Sequence, residues 1–182
     1  SYLYNLTKLT GESLCHASGR TGVRVARLSN VVGPGLDAAS GNLVADLLHG
    51  QKTGLFLDLR ESRFRIRQLS QGARVLNLYG YTGGFSVSAA LGGAVHVTTV
   101  DIAPEAVKLT ADTFAANGLD TQQHTAITSD VPDYLDGLPA SADYDIIICD
   151  PPSFAPSERA LPAALESYRG LHERCMRRVV RG

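Results

Sequence analysis

Four short clusters along the chain carry residues suited to holding a ligand and acting on it. The first is Asn77-Leu78-Tyr79-Gly80-Tyr81-Thr82-Gly83-Gly84-Phe85. Glycines in such a run let backbone approach a ligand closely, and a helix that follows offers unpaired N–H groups. The same run also serves as an ordinary tight connection between a strand and a helix. The second is Asp101, about twenty residues after the glycines, the distance at which a carboxylate closing the next strand accepts both hydroxyls of a ribose. An acid there also caps a helix opening at Pro104, and the two roles are compatible. The third is Asp130, placed to bond an adenine amino group or to stand as a solvated loop acid. The fourth is Asp150-Pro151-Pro152-Ser153-Phe154. Consecutive prolines keep the backbone extended and offer no N–H to a sheet, which makes a rigid ledge with carbonyls and an aromatic ring aimed at a cleft.

The elements that must position these clusters alternate. A helix is expected over Glu61 to Leu69, a strand over Arg74 to Leu78 and a helix over Phe85 to Leu91. A strand from Val95 to Asp101, a helix from Pro104 to Asn117 with Gly118 as its stop, and a short strand at Thr125 to Thr128 follow. A helix near Tyr134, a strand from Tyr144 to Cys149 and a helix from Ala163 to Val180 complete the series. Apolar strands separated by amphipathic helices predict an α/β fold, a mostly parallel sheet covered on both faces. In such sheets ligands bind beyond the carboxyl ends of the strands, where all four clusters fall. At Val179-Val180-Arg181-Gly182 the helix is expected to run into a turn that leads to another strand, so the sheet is expected to be incomplete at its C-terminal end.

Bulk properties narrow the function. With 182 residues, 44% hydrophobic and 19% charged, the chain can bury a core, which excludes disorder as the default. Its 17 basic and 18 acidic residues give a net charge of -1, so contact with nucleic acid must come from local patches. Arg60, Arg63, Arg65 and Arg67, and then Arg174, Arg177, Arg178 and Arg181, are two such patches, able to meet phosphates or to stand as solvated helix faces. Three dispersed cysteines form neither a disulfide framework nor a zinc spacing, and His124 and His172 have no partner at ligand spacing, so no metal is assigned. No apolar run reaches the ~20 residues that cross a bilayer, and a cytoplasmic protein without membrane contact is expected.

Glycine turn, acid, acid and Asp-Pro-Pro-aromatic, in that order, resemble the motifs of class I S-adenosylmethionine-dependent methyltransferases. The run Gln51-Lys52-Thr53-Gly54 through Leu57-Asp58-Leu59-Arg60, with Tyr81 to Phe85 and Asp150 to Phe154, is similar to the bacterial ribosomal RNA (cytosine-5-)-methyltransferases. The resemblance covers residues 51–182 and implies a Rossmann-like fold, S-adenosylmethionine as cofactor and an RNA substrate. It implies that Asn77, Tyr81, Thr82, Gly83, Gly84 and Phe85 cradle the cofactor, with Lys52 beside it. Asp101 would hold the ribose and Asp130 the adenine. Asp150, Pro151 and Pro152 would line the junction of methyl donor and target base. Carbon 5 of a pyrimidine becomes reactive only after a thiolate adds to carbon 6. In that family the nucleophilic cysteine follows the next strand, whereas Cys149 and Cys175 read here as structural residues. An amino-group methyltransferase acting on RNA, protein or a small molecule uses the same ledge without a thiol.

Residues 1–50 follow another pattern. Tyr4 and Lys8 lie one helical turn apart, where the ammonium can stabilise a phenolate and make it a general base; a chance surface pair has the same spacing. Followed by Gly11-Glu12, by Arg27-Leu28-Ser29-Asn30-Val31-Val32-Gly33-Pro34-Gly35 and by Asn42-Leu43-Val44, the pair resembles NAD-dependent epimerase/dehydratases of the extended short-chain dehydrogenase kind. That resemblance implies Tyr4 as base, Lys8 as its partner and NAD as cofactor. Two segments, 1–50 and 51–182, joined at Gly50-Gln51 are therefore expected. The alternatives to methyl transfer are a nucleotide-sugar epimerase fragment and a chain that binds cofactor without catalysis.

Overall fold

The computed structural model describes residues 59–155 and 157–180. The expectations for residues 1–50, for Tyr4 and Lys8, and for Lys52 in the segment 51–58 lie outside these residues.

Four strands build one parallel sheet: β1 (Arg74–Leu78), β2 (His96–Asp101), β3 (His124–Thr128) and β4 (Ile146–Cys149), in the order β3-β2-β1-β4. The helices are α1 (Arg60–Leu69), α2 (Gly84–Leu91), α3 (Pro104–Ala116), α4 (Val131–Gly137) and α5 (Leu161–Met176). The chain walks outward from β1 through β2 to β3, then crosses back to lay β4 on the other side of β1. The strand order therefore reverses between β1 and β4. This is the α/β, Rossmann-like architecture that the alternating pattern predicts.

Both faces of the sheet are dry. On one, Val75 and Val97 pack with Ile66, Phe85, Val87 and Phe114 from α1, α2 and α3. On the other, Leu76, Leu78 and Val100 pack with Val131 and Leu135 of α4 and Leu171 and Cys175 of α5. Central strand β1 is buried from Val75 onward, which explains its uninterrupted apolar reading apart from Asn77. Each wholly buried Val or Leu there contributes about 1.5–3 kcal/mol before ordering costs. In α5 the buried residues are Ala164, Tyr168, Leu171 and Cys175, a stripe at helical spacing.

The last helix departs from expectation. It ends at Met176, not Val180, and Val179 instead pairs in parallel with Tyr144. Tyr144 N–H donates to the Arg178 carbonyl (2.8 Å), and Val180 N–H donates to the Tyr144 carbonyl (3.0 Å). The Arg178 guanidinium donates to the carbonyls of Pro139 (2.8 Å), Leu138 (2.9 Å) and Leu135 (3.1 Å) around the end of α4. These bonds pull the chain out of the helix and toward β4, while two β-branched valines suit extended backbone. In sequence Val179 falls four residues after Cys175, on the helical apolar stripe, which conceals the change.

Candidate functional site at the carboxyl edge

Register places the four clusters in one row. Leu78 lies opposite Val100 on one side and Cys149 on the other, and Asp101 lies opposite Thr128. The residues that leave the sheet next, Tyr79-Gly80, Asp130 and Asp150-Pro151, therefore emerge from one edge together with Asp101. The reversal between β1 and β4 opens a crevice there, because the connections after these two strands run to opposite faces.

The turn after β1 is held in a strained shape. Tyr79 (φ 58°) and Tyr81 (φ 47°) both occupy the left-handed region, at about 1–3 kcal/mol each for residues with a side chain. Hydrogen bonds fix them. Gly80 N–H donates to the Val100 carbonyl (3.1 Å), and Tyr81 N–H donates to Asp101 Oδ2 (2.9 Å). Thr110 of α3 donates its hydroxyl to the Tyr81 carbonyl (3.0 Å). Gly80 and Gly83 are required by close approach: a Cβ on Gly80 would stand 2.2 Å from Thr99 Cγ2, and one on Gly83 would stand 2.5 Å from Thr110 Cγ2. The turn is thus pressed against β2 and α3.

Asp101 bridges two loops. Besides Tyr81 N–H on Oδ2, its Oδ1 accepts Ala103 N–H (3.0 Å), a local turn that delivers the chain to Pro104. An ionised carboxylate has about four acceptor positions, so two N–H bonds leave room for two ribose hydroxyls. Asp130 is exposed, and its Oδ1 caps α4 by accepting Asp133 N–H (3.2 Å). The capping role considered for Asp101 is not filled by its side chain, because Ala103 is the N-cap of α3; Asp130, read as an adenine ligand or a solvated acid, is the one that caps a helix.

Asn77, Thr82 and Phe85, expected in the cofactor cradle, have buried side chains. Asn77 is 1% exposed and Thr82 2%, while Phe85 belongs to the apolar core. They support the turn from beneath. Asn77 Nδ2 donates to Ser86 Oγ (2.8 Å), Ser86 Oγ pairs with Thr99 Oγ1 (2.6 Å), and Thr99 Oγ1 pairs with His124 Nε2 (2.9 Å). A polar side chain facing a ligand and one sealed below a loop have the same sequence pattern. Thr99, Ser86 and Thr110 were missed for the complementary reason: single hydroxyls on buried faces carry no spacing signature.

His124 ends this chain stacked on Phe114, with ring centroids 4.0 Å apart and 7° between planes. Burial pushes its pKa down to about 4, with His96 adding to the effect. The unfolded chain therefore binds the proton more readily, and stability falls as pH drops from about 6.5 toward 4. Discounted for the ring's partial exposure, the loss is about 1–2 kcal/mol. Urea unfolding at pH 7.5 and pH 5 should show it in the wild type and show less of it in His124→Gln. An equal pH response in both would assign the effect elsewhere. Tyr79 is pushed well above the ordinary phenol value by burial and then by neighbouring Cys149 and Asp130. Near neutral pH its hydroxyl is a neutral donor, not a base.

The ledge after β4 begins with Asp150, half-buried, and a buried Pro151. Pro152 and Ser153 are exposed, and Phe154 turns back toward α5. Of the thiols, Cys175 is buried in the core and Cys149 packs beside it on the α4–α5 face. Of the arginines, Arg63 is 6% exposed, and Arg174 Nε bonds both carboxylate oxygens of Asp136 (3.0 Å each). Arg178 is held by carbonyls as above. Arg65 and Arg177 remain exposed, while Arg60, half-buried, pairs with Glu61. Among the described residues no group of three His, Cys, Asp or Glu could hold a metal, and no helix is long and apolar enough to cross a membrane.

Comparison with known proteins agrees with this geometry. Residues 32–182 match the family model described as S-adenosylmethionine-dependent methyltransferase, a match that begins ahead of the Gly50-Gln51 junction. The chain is 42% identical over 139 residues to a ribosomal RNA large subunit methyltransferase of Deinococcus radiodurans, covering 76% of this chain and 34% of the relative. It is 36% identical over 131 residues to ribosomal RNA large subunit methyltransferase I of Escherichia coli, covering 71% and 33%. The chain thus spans about a third of the length of these relatives. Among solved structures, a protein described as a methyltransferase in complex with SAH is 37% identical with a TM-score of 0.61, over 70% of this chain and 34% of that one. An S-adenosylmethionine-dependent methyltransferase from Agrobacterium tumefaciens is 25% identical with a TM-score of 0.60, over 71% and 43%.

Proposed function

The chain belongs to the S-adenosylmethionine-dependent methyltransferase family, and from that premise we propose that it transfers a methyl group to a base of large-subunit ribosomal RNA. One observation carries the proposal: the Asp101-anchored turn and the Asp150-Pro151-Pro152 ledge leave adjacent strands β1 and β4 at the point where strand order reverses. The relatives named as large-subunit RNA methyltransferases supply the substrate class.

The residues present suit the family's cofactor. Half-buried Gly80, close-packed on Thr99, brings backbone without a side chain to the sheet edge for its methionine part, with the carboxylate of Asp101 beside it for the ribose. Asp130 takes the adenine edge through the carboxylate oxygen that does not cap α4. The cofactor supplies an electrophilic methyl group on a positively charged sulfur. Asp150 and the ledge carbonyls orient the acceptor base, and the two prolines hold them in place without reorganisation. Exposed Arg65 and Arg177 are the arginines placed to meet RNA phosphates.

Cytosine carbon 5 is the acceptor that the sequence resemblance implies. It requires a thiolate, and Cys149 and Cys175 both pack on the α4–α5 side of the sheet. An exocyclic amine requires only the ledge.

Calorimetric titration of S-adenosylhomocysteine, with NAD in parallel, tests the cofactor site. Saturable binding of the former is expected, and NAD binding alone would overturn the proposal in favour of the Tyr4–Lys8 reading. Incubating the protein with isotopically labelled S-adenosylmethionine and large-subunit ribosomal RNA, then digesting to nucleosides, identifies the product. 5-Methylcytidine establishes carbon-5 chemistry and an N-methylated nucleoside establishes the amine. Label confined to protein or small molecules would remove RNA as the acceptor.

A further inference from the structure

We propose that Tyr168 of α5 is a positioning residue that sets the shape of the ledge; the inference rests on the methyltransferase reading above. Tyr168 is 4% exposed and lies on the buried stripe of α5, four residues after Ala164. Its hydroxyl donates to the Pro152 carbonyl and accepts the Phe154 N–H, both at 3.3 Å. Its ring packs on Phe154 with centroids 4.6 Å apart and planes tilted by 41°. One side chain thus holds the ledge at two backbone points and one ring.

The ledge needs such a hold. Prolines at 151 and 152 restrict φ but provide no N–H by which the segment could be tied to a neighbouring strand. From Ser153 onward nothing in the proline geometry determines the path. Ser153 only turns inward on its own loop, its hydroxyl 3.4 Å from the Ala155 carbonyl. The Tyr168 hydroxyl takes the place of a strand partner by donating and accepting on the two sides of Ser153. Because α5 is anchored to the sheet through Leu171 and Cys175, the ledge is referenced to the same core that carries the cofactor turn. Displacement of a catalytic segment by about 1 Å can cost on the order of a hundredfold in rate, so the hydroxyl matters for turnover more than for folding.

The test is Tyr168→Phe, which keeps the ring and removes only the hydroxyl. Hydrogen exchange of the Phe154 amide should quicken by about tenfold or more, since its acceptor is gone. Methylation of large-subunit ribosomal RNA should show kcat lowered by about tenfold, with KM for S-adenosylmethionine and affinity for S-adenosylhomocysteine within about twofold of wild type. Ser167→Gly, on the exposed face of the same helix, serves as a control for helix loosening and should leave kcat unchanged at a temperature where both variants are folded. Equal loss of kcat in both variants would make Tyr168 merely structural and overturn the inference. Unchanged exchange at Phe154 would refute the clasp directly, whatever the substrate. If wild type itself neither binds S-adenosylhomocysteine nor methylates RNA, the methyltransferase reading fails, while the exchange result still decides whether the clasp exists.

Discussion

Asp101→Ala should weaken S-adenosylhomocysteine binding by about 30- to 1,000-fold, corresponding to about 2–4 kcal/mol for charge-assisted bonds to two ribose hydroxyls. The carboxylate is expected to matter twice. It would accept the ligand hydroxyls, and it also accepts Tyr81 N–H at 2.9 Å and Ala103 N–H at 3.0 Å, fixing the loops after β1 and β2 relative to each other. Alanine leaves both N–H groups without that acceptor and releases a turn whose Tyr81 is in a left-handed conformation. Asp101→Asn separates the two contributions, because it retains one carbonyl acceptor and one of the loop bonds but loses the charge. An intermediate affinity for Asn is expected, with thermal stability closer to wild type than that of Ala. Binding to Asp101→Ala within twofold of wild type would show that the carboxylate does not touch the ligand.

Gly83→Ala should destabilise the fold by about 2–4 kcal/mol and lower cofactor affinity with it. Two costs add. Gly83 has φ +77°, which charges any side chain about 1–2 kcal/mol. The new Cβ would also lie 2.5 Å from Cγ2 and 2.9 Å from Oγ1 of Thr110, a fully buried residue whose hydroxyl bonds the Tyr81 and Ala106 carbonyls at 3.0 Å each. Thr110 cannot rotate away without giving up those bonds. Thr110→Ala removes the two nearest atoms and leaves its Cβ at 3.0 Å, so the double variant should recover most of the packing cost and keep the conformational one, a positive coupling in a double-mutant cycle. Urea unfolding of the four proteins measures it. A single-variant loss under 1 kcal/mol, or strictly additive effects, would contradict the packing account.

How far each feature was legible in the sequence follows from how local its cause is. Strand β1 and the neighbouring helices were readable because an apolar run, or an apolar stripe at helical spacing, is imposed by burial along a single element. The acids at strand ends were readable because register puts the ends of parallel neighbours side by side, so Asp101, Asp130 and Asp150 had to share an edge. The Val179–Tyr144 pairing was concealed, since its cause is an Arg178 guanidinium gripping carbonyls about forty residues away. Asn77 and Phe85 carried the right motif but sit beneath the turn, because which side of a loop faces ligand depends on how α2 and α3 press against it.

By itself, the amino-acid sequence determined a parallel α/β sheet, a glycine turn followed by spaced acids, and a proline ledge at the last strand end. These are consequences of periodicity and backbone restriction, which each residue expresses locally. Only the tertiary structure decided that strand order reverses between β1 and β4 and that Thr110 and Thr99 shape the turn. It alone placed Tyr168 as the clasp on the ledge and committed Arg174 and Arg178 to internal partners. Each of these rests on side chains from distant parts of the chain meeting across a packed core, a relation that spacing along one strand or helix does not encode.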